Sequence, residues 1–510
     1  MTSAQTPADT GRGIPPELRR IFAGLILSMI LAALDQSIVN TALPRMASDL
    51  GGLAHLSWVV TAFMLASTSA TPIWGKMSDM YGRRPFLMGA VLLFLVMSML
   101  CGLAQSMPQL IASRLLQGIG AGGIMTLTQT VISDVVSPRE RVRYQGLFAG
   151  AFAFSSLAGP LLGGGLTTAL SWRWVFYINL PVGLIALALL WKALPPAPTK
   201  QAHKIDYAGA GLLVVAASSL MLLFSLGGSL FAWGSPVSYG LAALAMLSFV
   251  VFVQVERRAA EPIVSLPLFT IAPFTTGVLT MSCMSFAMMS AMVFLPLYFQ
   301  LVLGLNPAEA GAMMLPQVVA MVLTSVFGGR LSSKVGRPKV FMATGIAFEA
   351  LGLISLALLS KFEASIPYFW GSLLILGFGM GIAMPNAVAI VQSSVPRESV
   401  GTATASMSFL RSLGGALGVA VSGGVMAMGL KSGLSHLNTS IDVTAIVNGG
   451  MDAVEALPAT LRPAIEEAFR SAITGSFEIG GGVMALAFLV ALVLRGPDWH
   501  HSAAHSNPAE

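Results

Sequence analysis

Four ionisable side chains lie inside long apolar stretches of this sequence, at Asp35, Arg114, Glu349 and Arg411. A charge at membrane depth costs at least about 2.5 kcal/mol, so such residues usually face a cavity or a partner. A carboxylate can take up and release a proton, and a guanidinium can neutralise a carboxylate or attract an anion. These residue types therefore indicate proton or ion handling within a membrane.

Asp35 and Arg114 are expected to form a pair. Asp35 lies about 13 Å and Arg114 about 9 Å from the outer ends of their predicted helices, at 1.5 Å per residue. A long arginine side chain covers that difference if the two helices are adjacent. An aspartate beside an arginine keeps its negative charge, whereas burial in an apolar pocket favours the protonated form. A cavity that opens and closes could thus make Asp35 a proton carrier; the alternative is a static structural ion pair.

Arg411 and Glu349 each leave two interpretations open. Arg411 lies near mid-depth in the thirteenth predicted helix and is followed by Gly414 and Gly415. It could attract an anionic or weakly acidic substrate, or it could bond to backbone carbonyls. Glu349, in the eleventh predicted helix, could carry protons, but we expect a buried polar contact.

The composition requires a membrane environment. Of the 510 residues, 55% are hydrophobic and 10% are charged, and the mean hydropathy is +0.79. A soluble domain carries about 25% charged residues. The net charge of +6 does not indicate nucleic-acid binding, because the basic residues are spread over short loops and form no single patch. Cys101 and Cys283 lie in apolar stretches, so we expect neither a disulfide nor a metal site.

Apolar stretches of about 20 residues, long enough to cross a bilayer, recur fourteen times along the chain. Backbone polar groups must be satisfied internally in lipid, so these stretches are predicted to be helices. The predicted spans are 20–44, 56–75, 85–105, 109–133, 144–168, 172–194, 206–228, 236–254, 272–302, 308–331, 338–360, 365–392, 399–429 and 476–495.

The basic residues of the loops orient these spans. With the N-terminus inside, about twenty Lys and Arg residues fall on the inner side and about six on the outer side, as the positive-inside rule requires. Both termini are therefore predicted to be cytoplasmic, in tails at 1–19 and 496–510. One long outer loop is expected at about 430–475.

The two halves of the sequence repeat one motif. Residues 75–83 (GKMSDMYGR) align with residues 329–337 (GRLSSKVGR), and 137–140 align with 395–398. Duplicated halves that move around a central site are a common plan of transporters. We predict an N-terminal six-helix bundle at 20–194, two additional transmembrane helices at 195–260, and a C-terminal six-helix bundle at 261–495.

Several motifs resemble those of the major facilitator superfamily, specifically its fourteen-helix drug:proton antiporters of the EmrB and QacA type. They are a first-helix motif at 34–44, a loop motif at 75–85, a fourth-helix motif at 114–121, an antiporter motif at 159–164 and an aromatic segment from Trp172 to Pro181 that includes Asn179. Ser155 stands where this family usually has glycine. The resemblance covers about residues 20–495.

This resemblance implies an all-α integral membrane protein with the major-facilitator-type fold: two pseudo-symmetric six-helix bundles plus two extra helices between them (14 spans). It implies a proton-driven exporter of lipophilic drugs or toxic compounds by alternating access, and no enzyme. The alternative is a dedicated exporter of one endogenous metabolite, siderophore or lipid-like molecule. The proton gradient would supply the energy without a cofactor, in a bacterial inner membrane. The partners would be small lipophilic substrates, membrane lipids and, as in some relatives, a periplasmic adaptor protein, but no nucleic acid.

The resemblance also assigns roles to residues of this chain. Asp35 and Arg114 would couple protons. The gating residues would be Gly75, Asp79, Gly82, Arg83 and Arg84. The antiporter motif would consist of Gly159, Pro160, Gly163 and Gly164. Apart from the resemblance, we expect the substrate cavity to be lined by Gln36, Asn40, Gln117, Met284, Met288, Met292 and Arg411.

Several of these assignments have a plainer alternative. The basic loop at 75–85 is also explained by membrane orientation alone. Methionines suit a site for varied apolar compounds, but they are also ordinary core or lipid-facing residues. The glycines at 118–123 fit the dinucleotide pattern G-x-G-x-x-G, but no strand precedes them, so we interpret them as helix packing. A membrane enzyme would show a nucleophile–base pair or metal cluster at one depth, and a sensor would add a soluble domain; the sequence indicates neither.

Overall fold

The structure is a computed structural model that describes residues 16–50, 56–195, 206–227, 231–259, 261–305, 307–434 and 462–493. Most of both predicted tails, and most of the predicted outer loop at 430–475, lie outside the described residues. The last helix begins at Arg462, so helix replaces the end of that predicted loop.

The described elements are helical, as predicted. Proline occupies the first turn of many of the helices, where its missing N–H would have no intrahelical partner anyway. In chain order the helices are α1 Pro16–Leu50, α2 Leu56–Tyr81, α3 Arg83–Leu103, α4 Met107–Val135, α5 Pro138–Ala169, α6 Trp174–Tyr177, α7 Asn179–Ala193, α8 Tyr207–Leu226, α9 Pro236–Glu256, α10 Ala272–Leu301, α11 Pro307–Met313, α12 Leu315–Val335, α13 Pro338–Lys361, α14 Ile366–Ser393, α15 Val400–Leu434 and α16 Arg462–Val493.

Within the described residues, twelve helical stretches are long and apolar enough to cross a membrane, rather than the fourteen predicted. The two long helices that fall short are α2 and α5, of 26 and 32 residues. α2 carries Lys76 and Asp79 together with Ser and Thr residues within 67–71, and α5 begins with a basic segment at 139–143. Both helices pack between the two halves of the molecule, where lipid contact is not required, so their sequences are less apolar.

Helices α1–α7 form one half of the molecule and α10–α16 form the other, each around its own apolar core. Phe94 and Ile124 are fully buried in the first half, and Phe299, Phe369 and Phe477 are at most 1% exposed in the second. The cores account for the two separate bundles because each set of helices buries its own apolar faces.

The glycines at 118–123 pack α4 against its neighbours. A Cβ atom on Gly118 would lie 2.3 Å from the Phe63 carbonyl oxygen of α2, and one on Gly120 would lie 2.8 Å from the Ala90 carbonyl oxygen of α3. Only glycine allows these backbones to approach so closely. The interpretation of this segment as a helix-packing motif is therefore confirmed.

The two halves meet along two seams at the end of the molecule that carries the basic α2–α3 and α12–α13 turns, here called the basic end. A Cβ atom on Gly75 of α2 would lie 2.8 Å from the Gly401 carbonyl oxygen of α15. One on Gly329 of α12 would lie 2.7 Å from the Val142 carbonyl oxygen of α5. Gly75 and Gly329 hold the same place in the sequence repeat, so the repeat forms the same contact twice.

The α5–α12 seam widens away from the basic end. A Cβ atom on Gly146 would lie 2.5 Å from the Ser325 carbonyl oxygen, whereas one on Gly150 would first meet Val322 at 3.9 Å. Farther along α5, the space within 4 Å of Gly164 is open. The halves are thus closely packed at the basic end, and the packing of α5 against α12 becomes looser away from it.

Helices α8 and α9 form a hairpin beside the other seam. Ser218 of α8 lies 3.4 Å from Ser69 of α2, oxygen to oxygen. Leu213 of α8 and Phe252 of α9 share an apolar cluster with Phe409 of α15. The hairpin therefore contacts one helix from each half and covers the α2–α15 seam.

Candidate functional site

The structure brings Asp35 of α1 and Arg114 of α4 together. The Arg114 Nη1 atom donates to Asp35 Oδ2 at 2.6 Å. The side chain of Arg114 is 1% exposed and that of Asp35 is 0% exposed. The depth estimate from the sequence therefore predicted the pair correctly. Its role in proton coupling stays a prediction.

Two amide side chains complete the shell of Asp35. Gln117 Nε2 donates to Asp35 Oδ1 at 3.0 Å, and Asn179 Nδ2 donates to the same oxygen at 2.7 Å. Asn179 also donates to Ser98 Oγ at 2.9 Å, and Ser98 in turn donates to the Phe176 carbonyl oxygen at 2.9 Å. Four helices, α1, α3, α4 and α7, thus converge on one carboxylate.

The sequence did not assign Asn179 and Ser98 to this site. The signal for Asn179 was present, because it is an amide at the start of an otherwise apolar helix and lies in a family-like segment. Gln117, by contrast, was assigned to the substrate cavity. It is fully buried against Asp35 and also accepts from Arg114 Nη1 at 2.8 Å, so its side chain does not face open space.

Arg114 is held in place by an aromatic ring as well as by Asp35. Its guanidinium carbon lies 4.1 Å from the centroid of the Phe63 ring, in a cation–π contact. Its Nε atom has no hydrogen-bond partner among the described residues. The guanidinium of Arg114 is therefore held between Asp35, Gln117 and the Phe63 ring.

A second cluster joins the two halves at the basic end. Asp79, at the end of α2, accepts hydrogen bonds from the Gly401 amide at 3.1 Å and from the Thr402 amide at 2.7 Å. The Thr402 hydroxyl donates to the same carboxylate at 2.8 Å. These amides belong to the first turn of α15, where backbone N–H groups lack intrahelical partners and the helix dipole favours an anion. Asp79 therefore caps a helix of the opposite half.

Arg83 connects Asp79 to the rest of the first half. It forms an ion pair with Asp79, and its Nε atom donates to Asp134 of α4 at 2.8 Å. Its Nη1 atom also donates to Ser78 Oγ at 2.8 Å. Gly82 precedes α3 with φ 94°, in the left-handed region that favours glycine, so it makes the sharp α2–α3 turn possible.

Arg84 makes a separate contact with the end of α7. Its Nη2 atom donates to the Trp191 carbonyl oxygen at 2.9 Å, and its guanidinium carbon lies 4.7 Å from the centroid of the Trp191 ring. Arg84 thus ties the α2–α3 turn to α7 within the first half, whereas Asp79 reaches across to the second half.

Close packing supports the Asp79 contact. A Cβ atom on Gly401 would lie 2.1 Å from Asp79 Oδ1, and one on Gly75 would lie 2.3 Å from the Ala405 Cβ atom. A side chain at Gly75 would push α2 and α15 apart, and a side chain at Gly401 would displace the Asp79 carboxylate from its hydrogen bonds. The loop at 75–85 therefore makes specific contacts between the halves in addition to carrying basic residues. Its gating role stays a prediction.

The predicted cavity residues fall into two groups. Gln36 is half-buried, and Asn40 and Met292 are exposed, at mid-helix positions where polar or flexible side chains can face an internal space. Met288 is half-buried, whereas Met284 is 6% exposed and belongs to the apolar core of the second half. The methionine row of α10 therefore divides between core packing and exposed surface.

The predicted antiporter motif packs α5 against α1. A Cβ atom on Gly159 would lie 2.2 Å from Ser37 Oγ, and one on Gly163 would lie 2.2 Å from Thr41 Oγ1. Gly164 faces open space, and the side chain of Pro160 lies outside the described part of α5. The two glycines therefore bring α5 close to the helix that carries Asp35.

Arg411 and Glu349 lie apart from the Asp35 cluster. Arg411, in α15, is half-buried and makes no ion pair or hydrogen bond with the described residues, so the alternative of bonds to backbone carbonyls is not seen there. Glu349 is 1% exposed between α13 and α14, and a Cβ atom on Gly379 would lie 2.9 Å from its Cγ atom. Its Oε1 atom has no partner among the described residues, so the expected polar contact is also not seen.

Comparisons with known proteins identify the family. Residues 25–419 match the sequence profile of the Major Facilitator Superfamily. The multidrug transporter protein MdtP of Bacillus subtilis (strain 168) is 38% identical over 407 residues, covering 80% of this chain and 75% of that protein. Multidrug resistance protein 3 of the same organism is 33% identical over 492 residues, covering 95% of each chain.

The fold agrees with that match. The solved structure of the proton:xylose symporter XylE superimposes with a TM-score of 0.63 at 15% identity, covering 92% of this chain and 94% of that chain. At this identity the likeness concerns the fold alone. A profile match over most of the chain, a 33% identical relative along nearly its whole length and a shared helical fold lead to one conclusion. The chain belongs to the major facilitator superfamily.

Proposed function

We propose that this protein is a proton-driven secondary exporter of lipophilic drugs or toxic compounds that works by alternating access. The observation that carries the proposal is Asp35, a fully buried carboxylate surrounded by Arg114, Gln117 and Asn179. Burial of a charge at membrane depth is costly and is characteristic of ion pathways. The relatives named as multidrug proteins support drug-like substrates.

The two clusters suggest how proton uptake and opening are coupled. In this conformation the halves are in close contact at the basic end, and Asp35 accepts hydrogen bonds from Arg114, Gln117 and Asn179. Protonation of Asp35 would remove its attraction for Arg114, and the freed α1–α4 contact would allow the first half to change shape. Opening of the basic end would then break the hydrogen bonds of Asp79 to Gly401 and Thr402, and substrate and proton would be exchanged across alternate faces.

We further propose that all fourteen long helices cross the membrane, including α2 and α5, as in the EmrB and QacA type of transporter. Both termini would be cytoplasmic and the basic end would face the cytoplasm, in the cell membrane of a bacterium. The proton gradient would be the energy source, with no cofactor. Small lipophilic substrates and membrane lipids would be its partners, nucleic acid would not, and a periplasmic adaptor would be a further partner if export crosses a second membrane.

A dedicated exporter of one metabolite, siderophore or lipid-like molecule is the second candidate. The methionines of α10 favour this second candidate. Met284 is in the core, so only part of the methionine row is available to line an adaptable cavity. Resistance profiles separate the two. Protection against many unrelated compounds supports a multidrug pump, and accumulation of a single compound in cells lacking the protein supports a dedicated exporter.

The first test is efflux of a fluorescent lipophilic dye from energised cells, comparing the unmodified protein with Asp35→Asn. We expect proton-dependent efflux that Asp35→Asn abolishes at equal expression. Glu478→Gln is a matched control, because it removes a half-exposed carboxylate whose ion pair among the described residues is with Lys361, at the far end of α13. Proton-dependent efflux that survives Asp35→Asn would move coupling away from this cluster, with Glu349 as the next residue to test.

A further inference from the structure

Arg411 is a positive charge in α15 that has no counter-ion among the residues that the structure describes. It lies about 16 Å along the helix from Val400, which is half the thickness of a bilayer's hydrocarbon core of about 30 Å. An arginine side chain cannot reach either membrane surface from that depth. Within the described residues its guanidinium forms no ion pair and no hydrogen bond.

The neighbours of Arg411 along α15 show which direction its side chain faces. Thr404, seven residues earlier, shares its face of the helix and accepts from Gln392 Nε2 of α14 at 3.1 Å. The same Nε2 atom lies 3.4 Å from the Gln129 carbonyl oxygen of α4, in the other half. Arg411 therefore lies two turns beyond a junction of helices from both halves, on the same side of α15.

The helix on the other flank of Arg411 is α10. A Cβ atom on Gly415, one turn beyond Arg411, would lie 2.8 Å from Met289 Cγ and 3.0 Å from Ser285 Oγ. The opposite face of α15 carries Phe409, which packs against the α8–α9 hairpin. Arg411 is thus directed away from the hairpin and lies beside the flexible methionine side chains of α10.

The other described charges at membrane depth do not neutralise the positive charge of Arg411. Asp35 is already paired with Arg114, and Glu349 is enclosed between α13 and α14 within the second half. The described membrane-depth residues therefore leave Arg411 as an uncompensated positive charge beside α10. In a medium of low dielectric constant such a charge attracts an anion far more strongly than it would in water.

We propose that Arg411 binds the anionic group of the substrate, so that the protein selects lipophilic anions with a carboxylate or a similar planar oxyanion over lipophilic cations. The planar guanidinium donates two parallel hydrogen bonds to such a group. The apolar body of the substrate would contact the methionines of α10, which adapt to varied shapes. This inference rests on the proposed export function and specifies its substrate class.

The test is a binding measurement on the purified full-length protein in detergent, with two matched probes. They are a lipophilic aryl-alkyl carboxylate and its methyl ester, which has the same body without the charge. We expect the carboxylate to bind at least about tenfold more tightly than the ester. Arg411→Gln should remove this preference and Arg411→Lys should keep part of it. Arg258→Gln, which removes an exposed positive charge beyond the end of α9, should leave it unchanged.

Each outcome decides the inference. Equal binding of both probes, no binding of either, or tighter binding of a quaternary ammonium analogue by the unmodified protein would overturn it. So would a carboxylate preference that persists in correctly folded Arg411→Gln, with folding checked by thermal unfolding. Because binding needs no proton gradient, a protein that binds the carboxylate but shows no proton-driven transport would refute the proposed function and leave this inference intact.

Discussion

Asp79 and Thr402 lie 323 residues apart in the chain, yet the amide and the hydroxyl of Thr402 both donate to one oxygen of the Asp79 carboxylate, at 2.7 and 2.8 Å. One side chain of the first half thus caps a helix of the second half. This relationship leads to the first two predictions, and the Asp35 cluster leads to the other two.

Asp79→Ala should open the basic end. Loss of a helix cap costs about 0.5–2 kcal/mol, which corresponds to a several-fold larger population of conformers with the halves apart. Spin labels at the exposed positions Lys192 and Glu398 would report this change as a shift of the inter-label distances to larger values. Asp134→Asn leaves the contact with α15 in place and should shift the distribution less. Equal effects of both changes would mean that Asp79 acts only through Arg83.

Gly401→Ala should have the same effect without altering any charge. The added Cβ atom would lie 2.1 Å from Asp79 Oδ1, and overpacking of this kind costs about 1–3 kcal/mol. Gly424→Ala, in the same helix, is the matched control, because a Cβ atom at that position would have no other atom within 4 Å. We expect slower transport and a lower Tm for Gly401→Ala alone. Equal behaviour of the two variants would contradict the close approach of α2 and α15.

Asn179→Ala should slow proton-driven dye transport. Asn179 donates to Asp35 Oδ1 at 2.7 Å, and the loss of one hydrogen bond to a charged group costs about 1.5–3 kcal/mol. Initial rates of dye transport at equal expression would measure the loss. Ser98→Ala, which removes only a partner of Asn179, should slow transport less, and an unchanged rate in Asn179→Ala would refute the assignment.

Cys101 should report the opening of the Asp35 cluster. It is fully buried and its Sγ atom lies 3.4 Å from Gln117 Oε1. In a Cys283→Ala background, maleimide labelling of Cys101 should be slow in the unmodified cluster and faster in Asp35→Asn. The substitution leaves Arg114 buried without a counter-ion, which costs about 3–5 kcal/mol and loosens the cluster. Unchanged labelling rates would show that the cluster stays closed without the ion pair.

The pair at Asp35 could be predicted because charges inside apolar helices are rare and their depths can be estimated from the helical rise. The hydrogen bonds of Asp79 to α15 could not. Their donors are a hydroxyl and two backbone amides at the start of a helix, and no residue type marks which helix start a distant carboxylate will reach. The repeat at 75–83 and 329–337 predicted duplicated halves, but not that each copy packs against a helix of the opposite half.

Side-chain direction was the weakest part of the site prediction. Gln117 and Met284 have residue types that suit a cavity, but the first faces Asp35 and the second faces a core, because helix rotation is set by packing that one sequence does not reveal. The difference between the fourteen predicted spans and the twelve found has the same cause, namely helix packing. Hydropathy identifies helices that face lipid, whereas α2 and α5 face other helices and carry less apolar sequences.

The α8–α9 hairpin has a topological consequence. α7 ends at the basic end, where Trp191 accepts from Arg84, and α8 begins beside the end of α9, where a Cβ atom on Gly209 would lie 2.9 Å from Glu256 Oε1. The α8–α9 hairpin therefore begins and ends at the basic end of the molecule. An even number of crossings keeps the second half in the orientation of the first, so Gly329 can repeat the contact of Gly75. A single inserted helix would have inverted the second half and removed both seams.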